Sequence, residues 1–537
     1  MKNIRYALYH LIKKLSKGEK RYLQLFSKLQ DGEKQYIALF EAIDKYPEKN
    51  WRPKLVETEL KKDLEAIIPV KRFSTVKNYL LEQALYSLRL YHRKKSVDWQ
   101  IFLKLMDREI LREKGMTQLA KSRLDEARLE AQKYERHYLL LHILDLQIRY
   151  VVEQVRVDPM EELKILNSEK ERIFTYLRNE NHYCHINHQA FILYKMGKRT
   201  RDEESTKQIE TLLNDPILHN SGKAQTFEAQ INMYSARAML HNLKEELQNA
   251  NFAFKQLVKT VENYPLMQQL YSRRYFMYLN NYLQNCHRIG AYEEFPENWE
   301  KMNKIIPQNE EEEAEYSLII CETQLQYYVN KGDLKNARAV AKTISNKIEV
   351  YHNKSESFRQ SRESMSRFNL TMFYFLSGEF EKARDVFNLF TSGDVPIREE
   401  IKATSRIFEL ICWNELNDGV DFLDYLHNST KWQLKKKGHL HDFENKFMSL
   451  LKKIKKLTDR ESIESQFQKF LKEQILELEK EGPHIPGKEE IRLWIKSKLE
   501  HKSMIKILLE EVEKVKGNLS PMVPIEEEHN IVAAQKE

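Results

Sequence analysis

The sequence predicts an all-α protein: an extended series of antiparallel helix pairs with a helical module before it and further helices after it. Three observations carry that prediction. Helix breakers are scarce, with 14 glycines and 13 prolines in 537 residues, while Leu, Lys, Glu, Gln, Arg and Ala dominate, and these are the better helix formers. Runs of β-branched residues alternating with polar ones between Asn-Gly or Asp-Gly turns are missing. Short segments also recur in which one glycine stands between two apolar stripes of helical spacing.

Residues 1–96 read as a basic helical module, with helices near 2–15, 17–29, 32–45, 53–66 and 73–94 and breaks at Ser16, Asp31, Pro47–Pro53 and Pro69. Within SKGEKRYLQLFSKLQDGEKQYIALFEAI (16–43), Gly18-Glu19-Lys20 returns as Gly32-Glu33-Lys34, and Tyr22, Leu25 and Phe26 return as Tyr36, Leu39 and Phe40. A phosphate-gripping loop needs several glycines so that backbone N–H groups converge on one anion, and each copy holds only one. Ser16 followed by Glu19 instead spells a capping box, and Gly32 suits a left-handed helix end. The duplication predicts two matched helices in a hairpin.

Residues 1–98 hold 22 Lys/Arg against 12 Asp/Glu, a net +10 that exceeds the +8 of the whole chain. The middle of the chain is mildly acidic. The last helix of the module carries Lys71, Arg72, Lys77, Arg89, Arg93, Lys94 and Lys95. Two helices followed by a basic one opened by Ser-Thr is also how a DNA-binding helix-turn-helix reads, so nucleic acid is a second expected partner of 1–96. The Ile67-Ile68-Pro69-Val70 connection matches such a turn poorly, and solvated helix faces give the same charge asymmetry.

Residues 97–430 compare well with themselves. LTMFYFLSGEFEKARDVFNLF (370–390) aligns on QLQYYVNKGDLKNARAVAKTI (324–344) through Gly378 and Gly332. Both have an aromatic four residues before the glycine (Tyr374, Tyr328), an acid after it (Glu379, Asp333), an apolar residue next (Phe380, Leu334) and an alanine at the fifth place (Ala383, Ala337). Weaker copies surround Gly290, where Phe295 replaces the alanine, and Gly115, with Ala120, Leu124 and Ala127. Others surround Gly197 and Asn417, and a copy at 251–265 lacks the glycine but offers Ala253 and Leu257. This pattern resembles the tetratricopeptide repeat, in which the glycine turns the chain between two antiparallel helices and the alanine lets them approach. The glycine spacings of 42 (290 to 332) and 46 (332 to 378) exceed the ~34 of that family, which implies an irregular tetratricopeptide-like α-solenoid. The resemblance implies a concave face that binds a protein or peptide. Carried over by register, its positions are Asn280, Gln284, Arg288, Glu322, Gln326 and Asn330. In the next unit Met365, Phe368, Met372 and Phe375 replace them, and a helix apolar nearly all round implies burial: either the groove has an apolar anchor pocket there, or, the favoured reading, the C-terminal helices close over it. The N-terminal segments GEKRYLQLF and STVKNYLLEQALYSLRLY are also similar to a group of large helical proteins of Bacteroidota-type bacteria, a likeness that implies no activity.

Residues 431–516 read as further lysine-rich helices interrupted by EGPHIPG (481–487), and 517–537 as a disordered tail. No stretch approaches 18 apolar residues. The four cysteines are far apart, without CxxC, which points to a reducing, cytoplasmic setting. HYCHINH (182–188) is the best metal candidate, but histidines stepping by three drift round a helix and leave at most two facing one ion. GKR (197–199) and GKA (222–224) lack the upstream glycine of a phosphate loop, and Glu310–Glu313 fits the first turn of a helix, where the dipole favours acids. The sequence therefore predicts a protein that is not an enzyme and uses no cofactor or metal: an intracellular scaffold or adaptor, or alternatively a regulator with a DNA-binding head and a ligand-sensing array.

Overall fold

The computed structural model of the chain describes residues 7–28, 35–47, 53–153, 159–195, 203–354, 362–392, 399–416, 420–436, 442–476 and 487–517. These form 25 α-helices, and no strand occurs among the described residues. Two compact units divide the chain between Thr175 and Tyr176.

The first unit opens with α1 (Ala7–Lys14), α2 (Lys17–Ser27), α3 (Gln35–Lys45), α4 (Pro53–Asp63) and α5 (Phe73–Tyr91). The first Gly-Glu-Lys starts α2. The Ser16 side chain accepts from the Glu19 N–H at 3.3 Å, and Glu19 accepts the Ser16 N–H at 2.7 Å, a reciprocal cap that satisfies two orphan donors. Gly18 serves a second purpose, because a Cβ there would meet the Tyr91 hydroxyl at 2.6 Å. The second Gly-Glu-Lys lies outside the described residues, and its helix buries the expected stripe of Tyr36, Leu39, Phe40 and Ile43. Helix α5 packs on both α2 and α3, over a core that includes Leu8, Tyr9, Leu23, Phe40, Phe73 and Leu80. The boundary expected at 96/97 falls at the turn into α6 (Val97–Glu113), inside this unit. Helices α6, α7 (Thr117–Lys133) and α8 (His137–Glu153) follow, and α9 (Met160–Lys195) crosses into the second unit.

The second unit continues with α10 (Glu203–Leu213), α11 (Phe227–Leu243), α12 (Leu247–Glu262), α13 (Pro265–Leu270), α14 (Ser272–Ile289) and α15 (Phe295–Asn303). Next come α16 (Glu310–Asn330), α17 (Leu334–Lys354), α18 (Glu363–Leu376), α19 (Phe380–Ser392) and α20 (Glu399–Leu416). The last are α21 (Val420–Lys436), α22 (Asp442–Ile454), α23 (Arg460–Phe470), α24 (Lys488–Glu500) and α25 (Met504–Gly517). The boundary expected at 430/431 falls within α21. Glu310–Glu313 form the first turn of α16, capped by Asn309, whose side chain accepts from the Glu312 N–H at 2.9 Å.

One backbone turn recurs along the chain. After α6, α14, α16 and α18 a glycine (Gly115, Gly290, Gly332, Gly378) takes φ between 72° and 76°, and the next N–H reaches back to the helix at 2.9 Å each time. The bonds run Met116 to Leu111, Ala291 to Cys286, Asp333 to Tyr328, and Glu379 to Tyr374. This is the Schellman closure of a helix, and the left-handed residue in it favours glycine because a Cβ is strained there. After α11 the same turn is made by Glu245 at φ 59°, with Glu246 bonded to His241 at 2.9 Å. The unit expected to lack a turn glycine thus has the turn without the glycine. Its register also moves: the alanine five residues on is Ala250, not Ala253. Ala250, Ala337 and Ala383 are each fully buried, so the paired helices approach closely there. At Gly290 the fifth place is Phe295, also fully buried, and it opens the short α15. The candidate turns at Gly197 and Asn417 lie outside the described residues.

Each helix of these hairpins packs on the next, and α14 packs on α16 and α16 on α18. No described residue of α18 is exposed. Its Phe368 and Met372 pack against a core shared by Phe408, Trp494, Met504 and Ile507, so the C-terminal helices cover its apolar flank. Leu508 of α25 enters the core between α16, α17 and α18. Trp494 Nε1 and Lys498 Nζ both bind the Glu415 carboxylate, at 2.9 and 2.5 Å, tying α24 to α20.

Candidate partner-binding site

The six residues carried over by register stand on α14 and α16, and the structure brings five of them into hydrogen bonds. Gln284 and Gln326 face each other as a reciprocal amide pair, each Nε2 donating to the other's Oε1 at 3.2 Å. Arg288 turns to α11, donating to Asn242 Oδ1 and, at 2.5 Å, to the Glu245 carboxylate. Asn330 is buried and donates to the Gln326 carbonyl at 2.8 Å, with His287 Nδ1 3.4 Å away. Glu322 is buried, its side chain only 7% exposed. Its oxygens accept from Arg362 at 2.5 Å, Ser366 at 2.6 Å and Asn369 at 2.9 Å, all on or beside α18. Asn280 is half-buried and makes no hydrogen bond to a described residue.

These bonds belong to a longer ladder. Arg274 of α14 grips Glu228 of α11 through both nitrogens at 2.8 and 3.2 Å, and Asn187 of α9 donates to Asn232 of α11 at 2.8 Å. Phe276 stacks on Tyr316 with ring centroids 3.9 Å apart. The partners are 40 to 47 residues apart in sequence, close to the spacing of the turns, so each rung joins one hairpin to the corresponding place on the next. A charge-assisted bond in a low-dielectric interior is strong. The Glu322 cluster is therefore a clasp between α16 and α18, and its burial leaves little of it for a partner to touch.

Two titrating groups are set by this packing. Burial, and after it the neighbouring Arg288 cation, holds His287 down to about 4, so its ring is neutral at ordinary pH and Nδ1 can accept from the Tyr292 hydroxyl at 3.1 Å. Burial pushes the Cys286 thiol up to about 12, which suppresses the thiolate that a nucleophile needs. In HYCHINH, His182 bonds Asp215 at 3.3 Å and Cys184 lies 3.6 Å from His188. Among the described residues no three His, Cys, Asp or Glu side chains converge on one point at metal-binding distance. No described helix is long and apolar enough to cross a membrane.

Asn242, Glu245, Arg362, Ser366 and Asn369, the partners of Arg288 and Glu322, carry no mark in the repeat motif. The signal that finds them is the repeat period itself: adding 40 to 47 to a polar position on one inner helix gives its partner on the next.

Against known proteins, the chain matches no family model, no curated protein and no solved structure.

Proposed function

We propose that the second unit is an irregular, tetratricopeptide-like α-solenoid that acts as a scaffold or adaptor and holds a protein or peptide partner along the helices α11, α14, α16 and α18. The observation that carries this is the ladder of polar side chains at one-hairpin intervals. Its half-buried members Gln284, Gln326 and Arg288, with the half-buried Asn280 one turn before Gln284 on α14, offer both donors and acceptors in a row. A row of carboxamides suits an extended peptide, whose backbone presents N–H and C=O groups at regular intervals. The buried members, Glu322 and Asn330, hold the helices that display the row.

A photo-crosslinking residue in place of Asn280 tests the reading, with one in place of the exposed Val350 on α17 as control. Position 280 is expected to capture a discrete partner in cells and position 350 to capture none. The same adducts at both positions, or none at 280, would remove the assignment.

A further inference from the structure

We propose that the edge where α2 meets α5 in the first unit binds single-stranded nucleic acid, independently of any partner on the second unit. Six cations gather there: Lys17 and Arg21 on α2, and Arg89, Arg93, Lys94 and Lys95 at the end of α5. All six are exposed, and among the described residues none of them has an ion pair. The packing that assembles them is specific. Tyr91 lies over Gly18, next to Lys17, and its ring meets Tyr22, next to Arg21, with centroids 5.4 Å apart. Glu19, the one acid of α2, lies at the same edge, where its carboxylate is occupied by a 2.5 Å bond with His92 and by the Ser16 cap rather than by one of the six cations.

Aromatic faces stand among the charges. Tyr86 is 45% exposed and Tyr91 41%, and the Arg89 guanidinium lies 5.5 Å from the Tyr86 ring centre. Unpaired cations attract any polyanion, but exposed rings between them add base stacking, which neither a lipid headgroup nor an acidic protein segment can use. Duplex recognition by a helix-turn-helix fits less well. That motif joins its helices by three or four residues, whereas nine separate Asp63 of α4 from Phe73 of α5. Lys77, near the start of α5, is also drawn inward to Glu57 at 3.2 Å.

Fluorescence anisotropy with the full chain and a labelled oligothymidylate tests this. Binding at about 20 mM salt should weaken steeply on adding salt, with a log–log slope of about −4 for six contacts. The triple variant Arg93→Glu, Lys94→Glu, Lys95→Glu should bind at least roughly tenfold more weakly with a shallower slope. Tyr86→Leu should lose roughly fivefold or more while keeping the wild-type slope. Circular dichroism melting of both variants establishes that they fold. No binding at low salt, undiminished binding by the folded triple variant, or tighter binding of duplex DNA, polyglutamate or anionic vesicles than of the single strand would each overturn the proposal.

Discussion

The turns at Gly332 and Gly378 share a backbone and differ in what stands beside it. Both glycines sit at φ above 70°, and both are followed by a 2.9 Å closing bond. Around Gly378 a Cβ would meet nothing within 4 Å among the described residues, while at Gly332 it would meet Leu509 Cδ1 at 2.8 Å. The glycine is therefore required twice over at 332: by the left-handed backbone, and by α25 resting on the turn. Recurrence in sequence reports the first requirement. Only the fold reports the second.

The largest effect should come from unfastening the two hairpins that these turns close. Arg362→Ala leaves the Glu322 carboxylate buried with only Ser366 and Asn369 for partners among the described residues, and should lower unfolding free energy by roughly 3 kcal/mol in chemical denaturation. The turns themselves come next. Gly378→Ala should cost about 1–2 kcal/mol through backbone strain alone. Gly332→Ala should cost more, and the excess should vanish in a Leu509→Ala background. Equal losses at the two turns would mean that α25 does not rest on the first.

A smaller effect is acid-dependent. His287 titrates near 4 when folded and near 6.5 when unfolded, so the unfolded chain binds the proton more readily. Its contribution to stability is complete above about 6.5 and is lost as pH falls through about 4. His287→Asn keeps an acceptor near the place of Nδ1 and cannot titrate, so its melting temperature should drop less than the wild type's between neutral pH and pH 5. An identical drop would place the acid sensitivity elsewhere.

The smallest effect concerns Glu245, which makes its turn without glycine, as Glu135 does after α7 at φ 47°. Glu245→Gly relieves about 1 kcal/mol of left-handed strain but removes one of the two acceptors of Arg288 and leaves it Asn242. Thermal melts should show little change in the wild-type background and a gain in an Arg288→Ala background.

Much of the fold was readable because its signals are local. Ser16 and Glu19 spelled their own cap, Gly332 and Gly378 marked their turns, and Ala337 and Ala383 marked where helices meet. Glu245 was missed because a carboxylate residue in a left-handed turn looks like any helix residue. The same omission shifted the expected alanine from Ala250 to Ala253. On the candidate site, register placed Gln284 and Gln326 at equivalent points, and they do face each other. Register carries no measure of burial, so it puts Glu322 in the groove, whereas the fold buries that carboxylate as a clasp. Tyr91 over Gly18 was invisible because a glycine's close contact leaves no trace in composition.

A double-mutant cycle on Glu322→Ala and Arg362→Ala, read by chemical denaturation, tests most directly the claim that polar rungs one hairpin apart fasten this array. A direct buried rung should give a coupling energy near the upper end of the roughly 0.5–3 kcal/mol seen between contacting residues. Losses that simply add, as for residues that do not touch, would contradict it.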